Sequence, residues 1–374
     1  MKYLFINSVY GKRSTGKLIA KQCRELMQQG HECYVAYGRE TIEDGDVHLI
    51  KIGTKKDCFI HAVLSRLFDM HGFGSKQATK KFLETIEGQH FDIIWIHNIH
   101  GYYFNLELFF QWLKKHPEIQ VYWTLHDCWA FTGHCAYFTM AGCNQWKEGC
   151  NHCPQKKAYP RTVLFDRSRT NYRRKKAAFC GVRNMTLITP SQWLADLTRE
   201  SFLSLYPVTV VHNKIDSNIF KPTFSDFRER NGLKSKYIVL GVAVGWEETK
   251  GYQDMLKLRK VLNDDFVIVM VGVTQKQIRE LPKGFLGIER TENQMDLAKI
   301  YTAADVFVNP THQDNYPTVN LEAAACGTPV VTYAVGGSPE SAAPENVVKE
   351  NDIRGLAVCI EKICRKSSDR TEKV

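Results

Sequence analysis

Two carboxylates eight positions apart, Asp314 and Glu322, are the residues of this chain best spaced to do chemistry. They lie in AADVFVNPTHQDNYPTVNLEAAACGTPVVTYAVGGSPE, residues 303–340. The pattern predicts a strand over 305–308, a polar loop, a helix over 317–325, a Gly327-Thr328-Pro329 turn and a strand over 330–335, with Gly336-Gly337 after it. The loop brings Asp314 to the mouth of the helix, and Glu322 follows inside it. Carboxylates accept paired hydrogen bonds from vicinal hydroxyls, so this spacing suits a sugar or ribose diol. A helix start with Pro317 near its first turn also offers backbone N–H groups to a phosphate. The plain alternative is an amphipathic helix with a capping acid and one exposed glutamate.

Three other groups of residues could carry chemistry. The apolar run FDIIWIH ends in His97, Asn98 and His100, and QVYWTL ends in His126 and Asp127. Both runs read as buried parallel strands, whose carboxyl ends are where open α/β sheets collect site residues. Cys135, Cys143, Cys150 and Cys153 fall in segment 128–154, which closes with C-x-x-C and also holds His134 and His152. Four thiolates suffice for a tetrahedral structural zinc, and a long loop with no periodicity needs such a staple; free thiols, an iron–sulfur cluster or disulfides are the other readings. Gly11 to Leu18, GKRSTGKL, fits G-x-x-x-x-G-K but places Leu18 where a phosphate loop needs a hydroxyl for its metal.

The stretch around Asp314 and Glu322, with its ACGTPVV and Gly-Gly, resembles the donor-binding signature of the retaining glycosyltransferases of family 4, two-domain enzymes of GT-B fold. Here the first acid is Asp314 where the family more often has Glu. The resemblance implies that Glu322 holds the donor ribose and that Asp314, Asn315, Tyr316, Pro317 and Thr318 form the wall around the donor sugar. It implies that Lys250-Gly251 meets the donor diphosphate, with Trp246 standing where the family has an Arg. Gly11 and Gly16 are similar to the family's glycine-rich loop after the first strand, with Lys12 and Arg13 beside it. His126 matches a histidine that reaches the transferred sugar; Lys12, Arg13, His97, Asn98, His100 and Asp127 are then acceptor-side candidates. VHNKIDSNIFKP, 211–222, resembles the interdomain linker, with Lys214 in place of Gly. The Cys-rich segment is similar to that of a subset acting in capsular and exopolysaccharide assembly.

These groups need a framework, and the chain is long enough to supply one. Its 374 residues, 44% apolar and 24% charged, can build two cores. The expected fold class is α/β, two Rossmann-like domains facing across a deep cleft: residues 1–213, carrying the 128–154 insertion and the acceptor side, and 214–374, binding the nucleotide sugar. No window is apolar enough to span a bilayer, and the start runs straight into a strand, so a cytoplasmic protein is expected, or one peripheral on the inner face of the membrane. The formal charge of +10 calls for a polyanionic partner. The basic stretch 166–183 reads as a solvated helix face, with an anionic membrane or lipid diphosphate as its second reading. It lacks the aromatic platforms of a nucleic-acid module, so no nucleic acid is expected. Helices over 57–70 and 75–86 read as core-facing, with membrane docking second, and the tail 367–374 reads as disordered.

The function these features point to is transfer of a sugar with retention from a UDP-, GDP- or ADP-linked donor to a hydroxyl of a lipid-linked or soluble glycan, with no catalytic cofactor. A GT-B nucleotide-sugar epimerase and a zinc-stapled nucleic-acid-binding protein are the alternatives. The first would form product from donor alone, and the second would bind oligonucleotide with strong salt dependence.

Overall fold

The computed structural model describes residues 1–368, and the chain divides into two compact units, Met1–Val211 and His212–Val374. The final helix runs through Ser368, and the tail expectation for 369–374 lies outside the described residues.

In chain order the first unit holds β1 (Lys2–Val9), α1 (Arg13–Gln28), β2 (Glu32–Glu40), β3 (His48–Lys51), α2 (Lys55–Phe68), α3 (Lys76–Ile86), β4 (Ile93–Ile96), α4 (Leu106–Leu113), β5 (Gln120–Thr124), α5 (Ser168–Phe179), β6 (Met185–Thr189), α6 (Gln192–Arg199) and β7 (Val208–Val210). All its strands pair in parallel, in the order β3-β2-β1-β4-β5-β6-β7. Leu4, Phe5 and Ile6 at the centre of β1 are fully buried because helices cover both faces of the sheet.

Two helices differ from the sequence expectation. α1 begins at Arg13, four residues before the apolar periodicity shows, and takes in the buried Gly16, where a Cβ would stand a tight 3.1 Å from Val9. A helical turn therefore replaces the open cradle of a phosphate loop. α4 was missed, although Asn105 marks its start by accepting from the Leu108 N–H, and Leu106, Phe109, Phe110 and Leu113 fill the core beneath it.

α5 corrects the reading of 166–183 as a solvated face, since Asn171, Tyr172, Lys175 and Phe179 are buried. Arg174 of this helix grips Glu107 with two hydrogen bonds of 2.7 and 2.6 Å. Charge content alone hid the buried face.

The second unit holds α7 (Phe227–Arg230), β8 (Tyr237–Val242), α8 (Tyr252–Val261), β9 (Phe266–Val271), α9 (Gln275–Glu280), β10 (Phe285–Ile288), α10 (Gln294–Ala303), β11 (Val306–Asn309), α11 (Thr318–Ala325), β12 (Val330–Tyr333), β13 (Val347–Val348) and α12 (Ile353–Ser368). Its parallel sheet has the order β10-β9-β8-β11-β12-β13, with an apolar cluster on each face. In each unit the strand order reverses once, between β1 and β4 and between β8 and β11. Those reversals leave crevices at the carboxyl ends of the strands, the place where ligands enter such sheets.

Candidate functional site

In the second unit the loops after β8 and β11 meet at the reversal. Gly251 has φ +74°, and a Cβ on it would lie 2.1 Å from the carbonyl oxygen of Pro310, so only glycine lets the two backbones touch. That contact brings Lys250 onto the β11 loop, where its Nζ donates to Asp314 Oδ2 at 2.7 Å and approaches the Gln313 carbonyl at 3.4 Å. Asp314 Oδ1 accepts from the Asn315 N–H at 2.9 Å. A second glycine, Gly336 at φ +59°, closes on the other side: a Cβ there would sit 2.0 Å from the Asp314 carbonyl oxygen. Asp314 is thus fixed in backbone and side chain before any ligand arrives.

The rest of the loop is braced from below. His312 lies between two carboxylates, Nε2 2.6 Å from Asp254 and Nδ1 2.6 Å from Glu350, and its N–H donates to the Thr249 carbonyl. Tyr316 is buried, its ring stacked on His212 at 4.6 Å, and its carbonyl accepts from Asn213. The linker-like residues His212 and Asn213 therefore anchor the site loop, and Tyr316 serves as that anchor. α11 starts after Pro317 without a side-chain cap; the Asn320 N–H turns back to the Pro317 carbonyl at 3.2 Å, which leaves the Thr318 and Val319 N–H groups to water or a ligand. Glu322 is half-buried and accepts from the Tyr301 hydroxyl at 3.1 Å. Burial, and then that carboxylate, push the Tyr301 phenol well above its ordinary range.

Sequence reasoning missed what holds α11 in place. Asn320, fully buried, accepts from Asn309 at 2.9 Å and donates to Ser341 at 2.8 Å, while Thr332 and Ser338 share a 2.7 Å hydrogen bond. These polar groups tie α11 to β11, β12 and the turn after Gly337. Asn309 at the end of an otherwise apolar strand was the available signal. Trp246 is core: its ring packs on Gly241 and its Nε1 donates to the Val271 carbonyl at 2.9 Å.

The first unit gathers its candidates at the β1–β4 reversal. Asn7, buried and overlooked in the sequence, donates to the Val9 carbonyl at 2.7 Å and accepts from the Asn98 N–H at 3.1 Å, joining the two strand ends. His97 Nδ1 lies 3.0 Å from His126 Nε2, with the rings stacked at 5.3 Å. Burial pushes His126 down to about 4, with Asp127 opposing and His100 adding to the shift, and pushes His97 well below its usual range. Both are neutral imidazoles near pH 7, and His97 Nε2 is buried without a partner. His100 Nε2 is 3.2 Å from Asp127 Oδ2, and its Nδ1 is 3.2 Å from the Tyr159 hydroxyl. Burial would raise the Asp127 carboxyl, but His100 and the Trp129 N–H override it and hold it below its ordinary range. A shallow pocket is lined by His97, Asn98, His100, His126 and Asp127 together.

The Gly11 loop is less accessible than its motif suggested. Gly11 turns at φ +67° against Ile42, Gly16 is inside α1, and Arg13 is committed to Glu40 at 2.6 Å, leaving Lys12 exposed.

For the Cys-rich segment, the zinc expectation asked four thiolates to converge. Among the described residues no three His, Cys, Asp or Glu side chains form a group that could hold a metal. The Cys135 thiol donates a hydrogen bond to Cys153, and Cys150 Sγ accepts from the Gly133 N–H at 3.1 Å; Cys143 packs at the edge of the core. The segment is further held by Phe138 stacking on Trp146 at 4.9 Å and by a buried His134–Asp69 contact of 2.6 Å. Lys175 lies under it, over the Trp129 ring and donating to the Trp129 and Thr132 carbonyls; burial pushes its pKa down to about 7.

Comparison with known proteins bears on both units. Residues 223–373 match the family described as glycosyl transferases group 1. The chain is 27% identical over 328 residues to a protein of Escherichia coli (strain K12) provisionally named colanic acid biosynthesis glycosyl transferase WcaC, covering 82% of this chain and 77% of that one. Its fold matches sucrose-phosphate synthase from Thermosynechococcus elongatus at TM-score 0.68 and 17% identity, over 98% of this chain and 90% of that one. It also matches HepE of Anabaena, solved with UDP and glucose, at TM-score 0.62 and 16% identity, over 99% and 91%. The two parallel-sheet units thus have the Rossmann-like fold of the GT-B glycosyltransferases, and most of the second matches the group 1 glycosyl transferase family.

Proposed function

We propose that the protein is a retaining glycosyltransferase that moves a sugar from a nucleotide-sugar donor to a hydroxyl of a lipid-linked glycan in polysaccharide assembly. The observation that carries this reading is the Lys250–Asp314 pair, held between Gly251 and Gly336 beside the uncapped start of α11. On this reading Glu322 holds the donor ribose, and Asp314 with the backbone of Asn315 to Thr318 borders the donor sugar. Lys250 and the α11 N–H groups take up charge on the departing diphosphate, a role that otherwise falls to a divalent metal. The leaving phosphate accepts the acceptor proton. His126 positions the sugar, and His97, Asn98, His100 and Asp127, together with the exposed Lys12 of the same unit, serve the acceptor. The relationship to WcaC supports a polysaccharide role, and HepE, solved with UDP and glucose, supports a nucleotide-linked donor.

The test is a thermal-shift and hydrolysis screen against UDP-, GDP-, ADP- and dTDP-sugars, with and without divalent metal, on wild type, Asp314→Ala and Glu322→Ala. Stabilisation by one nucleotide class, slow metal-independent release of that nucleotide, and loss of release in both variants is the expected result. Silence of every donor, or unchanged release in both variants, would overturn the reading.

A further inference from the structure

The first unit exposes large apolar side chains in one place rather than scattering them. Phe59, Ile60 and Val63 stand on the outer side of α2, Phe59 being 69% exposed, while the helix buries His61 and Ser65 on its inner side. Val163, Leu164 and Phe165 are exposed in the loop that precedes α5, Leu164 by 60%. The backbone joins the two groups: the Val163 N–H donates to the Arg66 carbonyl at 2.7 Å and the Phe165 N–H to the Leu67 carbonyl at 3.3 Å. Phe165 also stacks on Phe68 at 5.6 Å. The loop therefore extends the outer side of α2 into one continuous apolar surface. Elsewhere in the unit the exposed ones stand singly, as Met1, Met140, Leu205 and Val211 do.

The charges around this surface are mostly positive. Lys55, Lys56 and Arg66 flank the α2 residues, and Lys157 and Arg161 flank the loop residues, all exposed. The nearby acids are already engaged. Asp57 closes the capping box with Thr54, and Asp166 accepts from the Cys153 and Ser168 N–H groups. Apolar side chains ringed by a majority of exposed cations fit a surface that is apolar beneath and anionic above. That is the chemistry of an anionic lipid bilayer. A second copy of this chain would bring the same cations against themselves. The loop also leads inward, since Tyr159, half-exposed at its start, reaches His100 of the pocket with its hydroxyl.

We propose that the outer side of α2 and the 159–165 loop dock on an anionic bilayer, setting the His97–His126 pocket beside the headgroups. What the pocket then receives, a lipid-carried hydroxyl, rests on the proposed transferase reading; the docking does not.

The experiment is co-sedimentation of the full chain with phosphatidylcholine vesicles and with phosphatidylcholine–phosphatidylglycerol vesicles. The variants are Phe59→Ser with Phe165→Ser, Lys56→Glu with Arg161→Glu, and the control Lys234→Glu with Lys260→Glu in the second unit. Circular dichroism and Tm verify that each is folded, and sedimentation velocity gives its oligomeric state. Wild type and control should bind the anionic vesicles, and each patch pair should lose about tenfold or more in partitioning, because two apolar anchors or two cations are removed at once. Nucleotide-sugar hydrolysis without vesicles should be unchanged in the patch variants, so failure here is separable from failure of the transferase reading. No binding by wild type, equal loss in the control, or a dimer dissolved by the Phe substitutions with vesicle binding intact would each overturn the proposal.

Discussion

The two strand-order reversals are built on the same topology and filled with opposite chemistry. In the second unit the crevice holds a formal ion pair, Lys250–Asp314, with glycines against the backbone on both sides. In the first unit it holds stacked, neutral imidazoles, His97 buried and His126 half-buried, next to a carboxylate that His100 keeps ionised. A parallel sheet supplies the location, and the loops alone decide what it can bind. Charge set beside an uncapped helix start suits a phosphate-bearing ligand. Neutral hydrogen-bonding rings suit hydroxyls.

The sharpest way to break this contrast is at the glycines. Gly336→Ala forces a Cβ to within 2.0 Å of the Asp314 carbonyl at a positive φ, whereas Gly30→Ala, also at positive φ (+80°), meets nothing within 4 Å. We expect Gly30→Ala to cost about 1 kcal/mol from backbone strain alone and Gly336→Ala to cost at least about twice that. The second should also remove nucleotide-sugar hydrolysis; urea titration and a nucleotide-release assay report the two effects. Equal costs at the two positions would mean that the close approach is not real.

Next in size is the ion pair. Lys250→Ala should lower donor hydrolysis on the order of a hundredfold, as expected when one charge-stabilising group is lost. Its effect should be smaller in an Asp314→Ala background, because contacting residues couple. Strict additivity in that double-mutant cycle would separate the two roles.

The imidazoles of the first unit predict a pH response. His126 and His61 have folded pKa values of about 4 against an unfolded 6.5, so between these limits the unfolded chain binds more protons. Their contribution is fully present above about pH 6.5 and is lost as pH falls toward 4. Urea unfolding followed by the first unit's tryptophans should show lower stability at pH 5 than at pH 7. A flat profile would mean the rings are solvated.

The smallest effect is expected at Arg13→Ala. Its pair with Glu40 is largely exposed, so stability should change by less than about 0.5 kcal/mol by urea titration. A large loss of donor turnover at unchanged stability would instead restore Arg13 as a phosphate contact.

Much of the framework was legible because parallel strands are short apolar runs and their ends are punctuated, as at His97, Asp127 and Gly336. The Asp314–Glu322 spacing stood out in the sequence, whereas Lys250 and Gly251 were singled out by the family resemblance; the structure brings Lys250 onto Asp314. What escaped notice depends on partners distant in sequence. Asn320 reads as an ordinary polar helix residue until Asn309 and Ser341 surround it, and Asn7 until Asn98 approaches. The basic helix α5 misled because five of its residues are charged, and one of them, Lys175, is itself among those that are buried. Four cysteines in one segment suggest convergence, and Cys135, Cys150 and Cys153 do lie near one another, but spacing does not fix the geometry in which the thiols meet.

The two carboxylates on His312 have a dynamic consequence. One imidazole fastens the loop before Asp314 both to Asp254, in the first turn of α8, and to Glu350, just ahead of α12. Lifting that loop means releasing both tethers together, so the His312 amide, donated to Thr249, should exchange with solvent on the timescale of subglobal opening rather than of a fraying surface turn. The tip that meets a ligand inherits the slow breathing of the core behind it.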